Sequence, residues 1–122
     1  MILVDSSVWI DYLRSGDVAL ARLLEEISVL THPFILGELA LGNLRQREQI
    51  LDDLQTLPEI IPATDDEVMH FINTNHLYGK GIGYVDAHLL ASVRLTPGSR
   101  IWTRDKRFDA LAREMNIAHS QT

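Results

Sequence analysis

Four carboxylates stand where an acid is either costly or chemically useful: Asp5, Glu38, Asp86 and Asp105. Asp5 ends the apolar run Ile2-Leu3-Val4, and Asp105 follows Arg100-Ile101-Trp102-Thr103; a helical pattern comes after each. Open α/β sheets bind their ligands beyond the carboxyl ends of their strands, where both acids would lie. Glu38 is the single charge in the segment from Pro33 to Gly42, which is apolar almost all round and so predicts a buried helix. Asp86 heads a stripe with Leu89, Leu90 and Val93 at helical spacing. Brought to one edge, four carboxylates repel unless cations sit among them. An all-oxygen donor set suits Mg²⁺ or Mn²⁺. Such ions make a bound water nucleophilic and stabilise a leaving oxygen, so the chemistry implied is metal-assisted hydrolysis of a phosphodiester. Three of the acids also have a purely structural alternative. Asp5 or Ser6 caps the next helix, Glu38 reaches solvent at a helix edge, and Asp86 caps a helix or compensates its dipole.

The elements that must position these acids alternate in type. A first strand is followed by a short helix, then by a helix from Val18 to Ile27 with Asp17 as its N-cap. Ser28 to Thr31 reads as a second strand, and Pro33 suits the first position of the Glu38 helix. Gly37 there predicts close approach of another backbone. A polar-faced helix spans Arg45 to Leu57, and Pro58 to Pro62 is extended. Thr64 to Glu67 is a capping box, which assigns Asp65 and Asp66 to the dipole of the helix that ends near His76. The glycine-rich loop Tyr78 to Tyr84 lacks the Gly-Lys-Ser/Thr ending of a nucleotide loop. It leads into the Asp86 helix, on which His88 lies off the apolar stripe and reads as surface or rim. No histidine is assigned as a metal ligand. Arg100 to Thr103 is a strand, Lys106 to Asn116 a helix, and Ile117 to His119 a final short strand. The expected fold is α/β, a three-layer sandwich with a central parallel sheet and helices on both faces.

Composition narrows the function classes. With 122 residues the chain is expected to form one domain, residues 1–122. Cysteine is absent, which excludes disulfides, thiolate metal sites and cysteine nucleophiles. No apolar run is long enough to span a bilayer, so a cytoplasmic protein without a membrane partner is expected. A net charge of -6 argues against nucleic-acid binding driven by charge alone, yet is compatible with an acidic site that takes up cations.

Four blocks together carry a family resemblance: Leu3-Val4-Asp5-Ser6-Ser7-Val8-Trp9-Ile10, Gly37-Glu38-Leu39-Ala40, Gly83-Tyr84-Val85-Asp86-Ala87-His88-Leu89-Leu90-Ala91, and Trp102-Thr103-Arg104-Asp105-Lys106-Arg107-Phe108. In that order they resemble a PIN-domain protein, more narrowly a VapC-type toxin ribonuclease of a type II toxin-antitoxin system. The resemblance implies an Mg²⁺- or Mn²⁺-dependent endoribonuclease that acts on unpaired RNA. It also implies a homodimer and a small VapB-type antitoxin partner. It maps the acidic quartet onto Asp5, Glu38, Asp86 and Asp105, with Asp5 and Asp86 as the most direct metal ligands. Ser6 or Ser7, and Thr103, match supporting hydroxyl positions. Arg104 departs from the pattern, since relatives often carry an apolar residue there.

Lys80, Arg100, Arg104, Lys106 and Arg107 are the candidates for holding RNA phosphates, with a solvated surface as the alternative. Tyr78, Tyr84 and Trp9 are candidates for base stacking, or else for packing. Two competing functions follow from the same residues. One is a PIN-fold RNA- or protein-binding module without catalysis. The other is a phosphotransfer protein with Asp5 as acceptor, which would want a second acid where Ser7 stands.

Overall fold

The computed structural model describes residues 1–120 of the chain. It is built around β1 (Ile2–Val4), whose three side chains are all buried. A strand that is buried on both faces needs apolar residues at consecutive positions, which is what Ile2, Leu3 and Val4 supply. β1 is followed by α1 (Ser6–Ser15), α2 (Val18–Glu25), β2 (Val29–Leu30), α3 (Pro33–Ala40), α4 (Arg47–Gln55), α5 (Asp65–Thr74), α6 (Tyr84–Leu95), β3 (Arg100–Trp102) and α7 (Lys106–Glu114).

The sheet has the order β2-β1-β3 and is parallel throughout. Leu3 pairs with Leu30 on one side and Ile101 on the other, and Val4 pairs with Trp102. The carboxyl ends of β1 and β3 are therefore adjacent and level, which brings Asp5 beside Thr103. Single parallel bridges, Thr31 to Glu59 and Ile101 to Ala118, widen the sheet at both edges. The final strand expected over Ile117 to His119 is thus one bridge, because its backbone pairs with β3 only at Ile101. The helices flanking the sheet complete an α/β fold of the expected kind.

Local signals set several helix starts. Asp17 caps α2 by accepting from the Leu20 N–H, and Thr64 and Glu67 form the reciprocal capping box of α5. His32 caps α3 through its ring, with Pro33 in the first turn.

Two expectations need correction. α3 is not buried all round: Ile35 and Leu39 enter the core, whereas Phe34, Gly37, Glu38 and Leu41 lie on an exposed side. Gly37 meets no other backbone, since a Cβ built there would have nothing within 4 Å. Apolar composition predicted burial on every side, but the sheet supplies a covering surface on only one.

Candidate active site at the carboxyl edge of the sheet

Asp5 is the anchor of the site. It stands at the N-cap position of α1, yet its side chain makes no capping bond, so the helix-capping alternative does not hold for it. Its Oδ2 instead accepts hydrogen bonds from Ser7 Oγ and Thr103 Oγ1, each at 2.8 Å. Those hydroxyls lie 3.3 Å apart and accept in turn from the backbone N–H groups of Arg104 and Asp105, both at 3.1 Å. A buried carboxylate is tolerable only with such donors, and these tie the ends of β1 and β3 to one oxygen.

The other three acids arrive from helices. Glu38 on α3 accepts from Ser6 Oγ at 3.1 Å through Oε1. Asp86, in the first turn of α6, accepts from the Gly83 N–H at 3.3 Å through Oδ2. Asp105 caps α7 by accepting from the Phe108 N–H at 2.9 Å through Oδ1. Every member of the quartet is thereby fixed through one oxygen, and its second oxygen has no protein donor among the described residues.

Asp86 feels the charge of the other three acids. Burial is the main cause that lifts the Asp86 carboxyl to about 6; the Gly83 N–H opposes it, and the charges of Asp5, Asp105 and Glu38 add to it. Glu38 is also raised, first by burial and then by Asp5, against the Ser6 hydrogen bond. None of the four forms an ion pair among the described residues. Acids that approach one sheet edge with no ion-pair partner among the described residues are a donor set that suits a divalent ion. The quartet is nonetheless open: among the described residues no three acidic or histidine side chains are grouped closely enough to hold a metal as they stand.

The basic candidates separate. Arg104 is held by Asp11 and Asp17, each at 2.6 Å, with its guanidinium 5.7 Å from the Trp102 ring centroid. Arg100, expected near Asp105, opens β3 at its opposite end and donates to the Asn116 and Ala118 carbonyls. Lys106 and Arg107 are exposed on the first turn of α7, beside Asp105. The Arg107 side chain crosses the loop before α6 at Gly81, whose positive φ and missing Cβ leave room for it. Lys80 is exposed in the same loop.

Trp9 is buried in the core, which removes it as a stacking candidate, while Tyr78 and Tyr84 are exposed. His88, expected at the surface, is buried, with its Nε2 3.1 Å from Asp65 Oδ1. α6 is enclosed from Ala87 to Val93, so a residue off its apolar stripe is covered as well. Asp65, assigned only to a helix dipole, and Asp11 are the partners that the sequence did not indicate.

A family model described as the PIN domain matches residues 2–114. The chain belongs to the PIN domain family. This PIN chain is 47% identical over 118 residues to the protein named Ribonuclease VapC32 from Mycobacterium tuberculosis strain H37Rv, covering 97% of this chain and 95% of that protein. It is 28% identical over 131 residues to VapC ribonuclease Mb1587 of Mycobacterium bovis, covering 96% of each. Ribonuclease VapC11 of Mycobacterium tuberculosis strain H37Rv is similar to the same degree. No helix among the described residues of this PIN chain is long and apolar enough to cross a membrane.

Proposed function

We propose that this chain is a metal-dependent endoribonuclease toxin of the VapC type, a single PIN-like unit over residues 1–122 that hydrolyses RNA phosphodiester bonds in the cytoplasm. In this reading it forms a homodimer and is neutralised by a small VapB-type antitoxin. One observation supports it: Asp5 and Asp105 follow the carboxyl ends of neighbouring strands, Asp86 feels their charge and that of Glu38, each of the four is anchored through a single oxygen, and none is paired to a basic side chain among the described residues. The likeness to proteins named VapC ribonucleases supports the choice of RNA.

Mg²⁺ or Mn²⁺, when bound, supplies the Lewis acidity that activates water and stabilises a leaving oxygen. Asp5 and Asp86 would hold the ion directly, with Glu38 and Asp105 binding directly or through water. Ser7 and Thr103 keep the Asp5 carboxylate in one orientation, and Ser6 does the same for Glu38. Asp86, its carboxyl raised to about 6, keeps a proton more readily than an ordinary aspartate when no cation is present. Lys80, Lys106 and Arg107 are the exposed cations placed to meet RNA phosphates. Arg104, engaged by two aspartates, instead fixes the loop after β3 against α1 and the start of α2.

A second reading, a PIN-fold binding module without catalysis, is favoured by the openness of the quartet. Induced expression in bacteria separates the two. The ribonuclease reading predicts that the parent arrests growth with loss of cellular RNA, that Asp5→Asn does not, and that co-expressing the small protein encoded beside it restores growth. Equal arrest by parent and Asp5→Asn would overturn it.

A further inference from the structure

Two exposed aromatic rings stand on the two helices that carry Glu38 and Asp86. Phe34 lies one helical turn before Glu38 on α3, and Tyr84 lies two residues before Asp86 on α6. They are 39% and 48% exposed. Both rest edge-on against one imidazole: the His88 ring centroid is 4.8 Å from Phe34 and 4.6 Å from Tyr84, with interplanar angles of 65° and 90°. His88 is buried, and its Nε2 meets Asp65 Oδ1, the same oxygen to which the Tyr84 hydroxyl donates at 3.0 Å. His32 supports Phe34 from a second direction, with ring centroids 5.1 Å apart. Gly37 leaves bare backbone between Phe34 and Leu41, so no side chain stands over that stretch of the helix.

An exposed ring offers a flat apolar face on which a base can stack. Here both are locked in orientation against His88, on helices that also carry Glu38 and Asp86. The chain carries a net charge of -6, and Arg100 and Arg104 are engaged elsewhere. Lys80, Lys106 and Arg107 remain for the phosphates, and stacking adds affinity that needs no positive charge and accepts any base. Only an unpaired nucleotide can offer its face in this way.

We propose that Phe34 and Tyr84 form a stacking platform for an unpaired base next to the phosphate held at the carboxylates. The His88–Asp65 pair beneath them is the positioning element. The proposal rests on the RNA-cleaving reading above and adds the residues that select single strands.

The test compares parent, Tyr84→Ala, Tyr84→Phe and Phe34→Ala, with folding followed by circular dichroism. Tyr84→Leu and Phe34→Leu take the place of any alanine variant that does not fold. One arm measures cleavage of single-stranded RNA with Mg²⁺ or Mn²⁺. The other follows quenching of a short, mixed-sequence single-stranded RNA carrying 2-aminopurine, and does not depend on cleavage. The expected result is a rise in KM of about 10-fold for each ring deletion with kcat nearly unchanged. Tyr84→Phe, which keeps the ring, is expected to stay near the parent. Quenching should follow the same order. Unchanged KM and quenching after both deletions would overturn the platform while leaving the ribonuclease reading standing. A parent that quenches without cutting RNA would contradict the ribonuclease reading alone, and loss of that quenching in Tyr84→Ala would uphold the platform. A parent that neither cuts nor quenches would overturn both. Sedimentation completes the test: conversion of a parent dimer to monomers by either deletion would assign the rings to a subunit contact and overturn the platform.

Discussion

Thr103 and Asp5 lie 98 positions apart and meet through a 2.8 Å hydrogen bond at the junction of two parallel strands. The bond joins the last turn of sheet register to the first acid of the site. Ser7 donates to the same oxygen, so the two hydroxyls act as one clamp. Thr103→Val should lower stability by about 1–2 kcal/mol, the range for a hydrogen bond to a charged group reduced by the remaining Ser7 donor. Thr103→Ser should recover most of it. Denaturant unfolding of Thr103→Val, Ser7→Ala and the double variant checks this. Non-additivity is expected, because both hydroxyls serve one oxygen.

Asp86 gives a pH-dependent prediction. Its carboxyl lies at about 6 in the fold against 3.8 in its ordinary state, so folding favours the protonated form. Its contribution is fully present below 3.8 and is lost as pH rises through about 6. Asp86→Asn should therefore stabilise the metal-free protein at neutral pH by about 1–3 kcal/mol, with the difference vanishing below about pH 4. Thermal unfolding in EDTA across that range measures it. Added Mn²⁺ should raise the Tm of the parent at neutral pH and leave Asp86→Asn nearly unmoved.

His32 titrates in the opposite sense. Burial, with a further contribution from His88, lowers it to about 4 from 6.5, so the fold requires the neutral ring. Its contribution is present above 6.5 and is lost as pH falls through about 4. His32→Asn keeps a residue able to cap α3 and removes the titration. It should flatten the acid side of the stability curve by about 2–3 kcal/mol over that window, seen by denaturant unfolding at successive pH values.

Arg104 and the free cations should behave differently toward RNA. Arg104 is bound by Asp11 and Asp17, whereas Lys80 and Lys106 form no ion pair among the described residues. Lys106→Ala and Lys80→Ala should each reduce the slope of log affinity against log salt by about 0.7, the value for one contact to single-stranded nucleic acid. Arg104→Ala should leave that slope unchanged and lower stability by about 0.5–1 kcal/mol, a modest figure because the pair is partly exposed. Fluorescence titration of RNA at several salt concentrations, beside unfolding curves, separates the two effects.

The features legible in the sequence were local ones. An apolar run cut off by an acid and followed by a helical pattern located the ends of β1 and β3. The Thr64–Glu67 capping box, the Asp17 cap and Pro33 set helix starts through residues at most three positions apart. The remainder depended on contacts between distant segments. An apolar helix looks the same whether covered on one side or two, so the exposed side of α3 was hidden. His88 is buried because neighbours enclose α6, a property that the apolar stripe of its own helix does not carry. The partner of Arg104 at Asp17 is 87 positions away, and the charge of an arginine does not announce which acid it will find. Arg100 and Asp105 lie close in sequence, yet β3 separates them along its length.

The most direct test of the central claim is cleavage of a mixed cellular RNA pool by purified protein, free of any partner, in Mg²⁺ or Mn²⁺. EDTA and Asp5→Asn, the latter confirmed as folded, serve as controls. Metal-dependent hydrolysis at the quartet predicts discrete fragments from the parent with metal and none in either control. Cleavage that persists in EDTA or in Asp5→Asn would contradict a mechanism built on the acidic quartet, and a folded parent that leaves the RNA intact in both metals would contradict the ribonuclease itself.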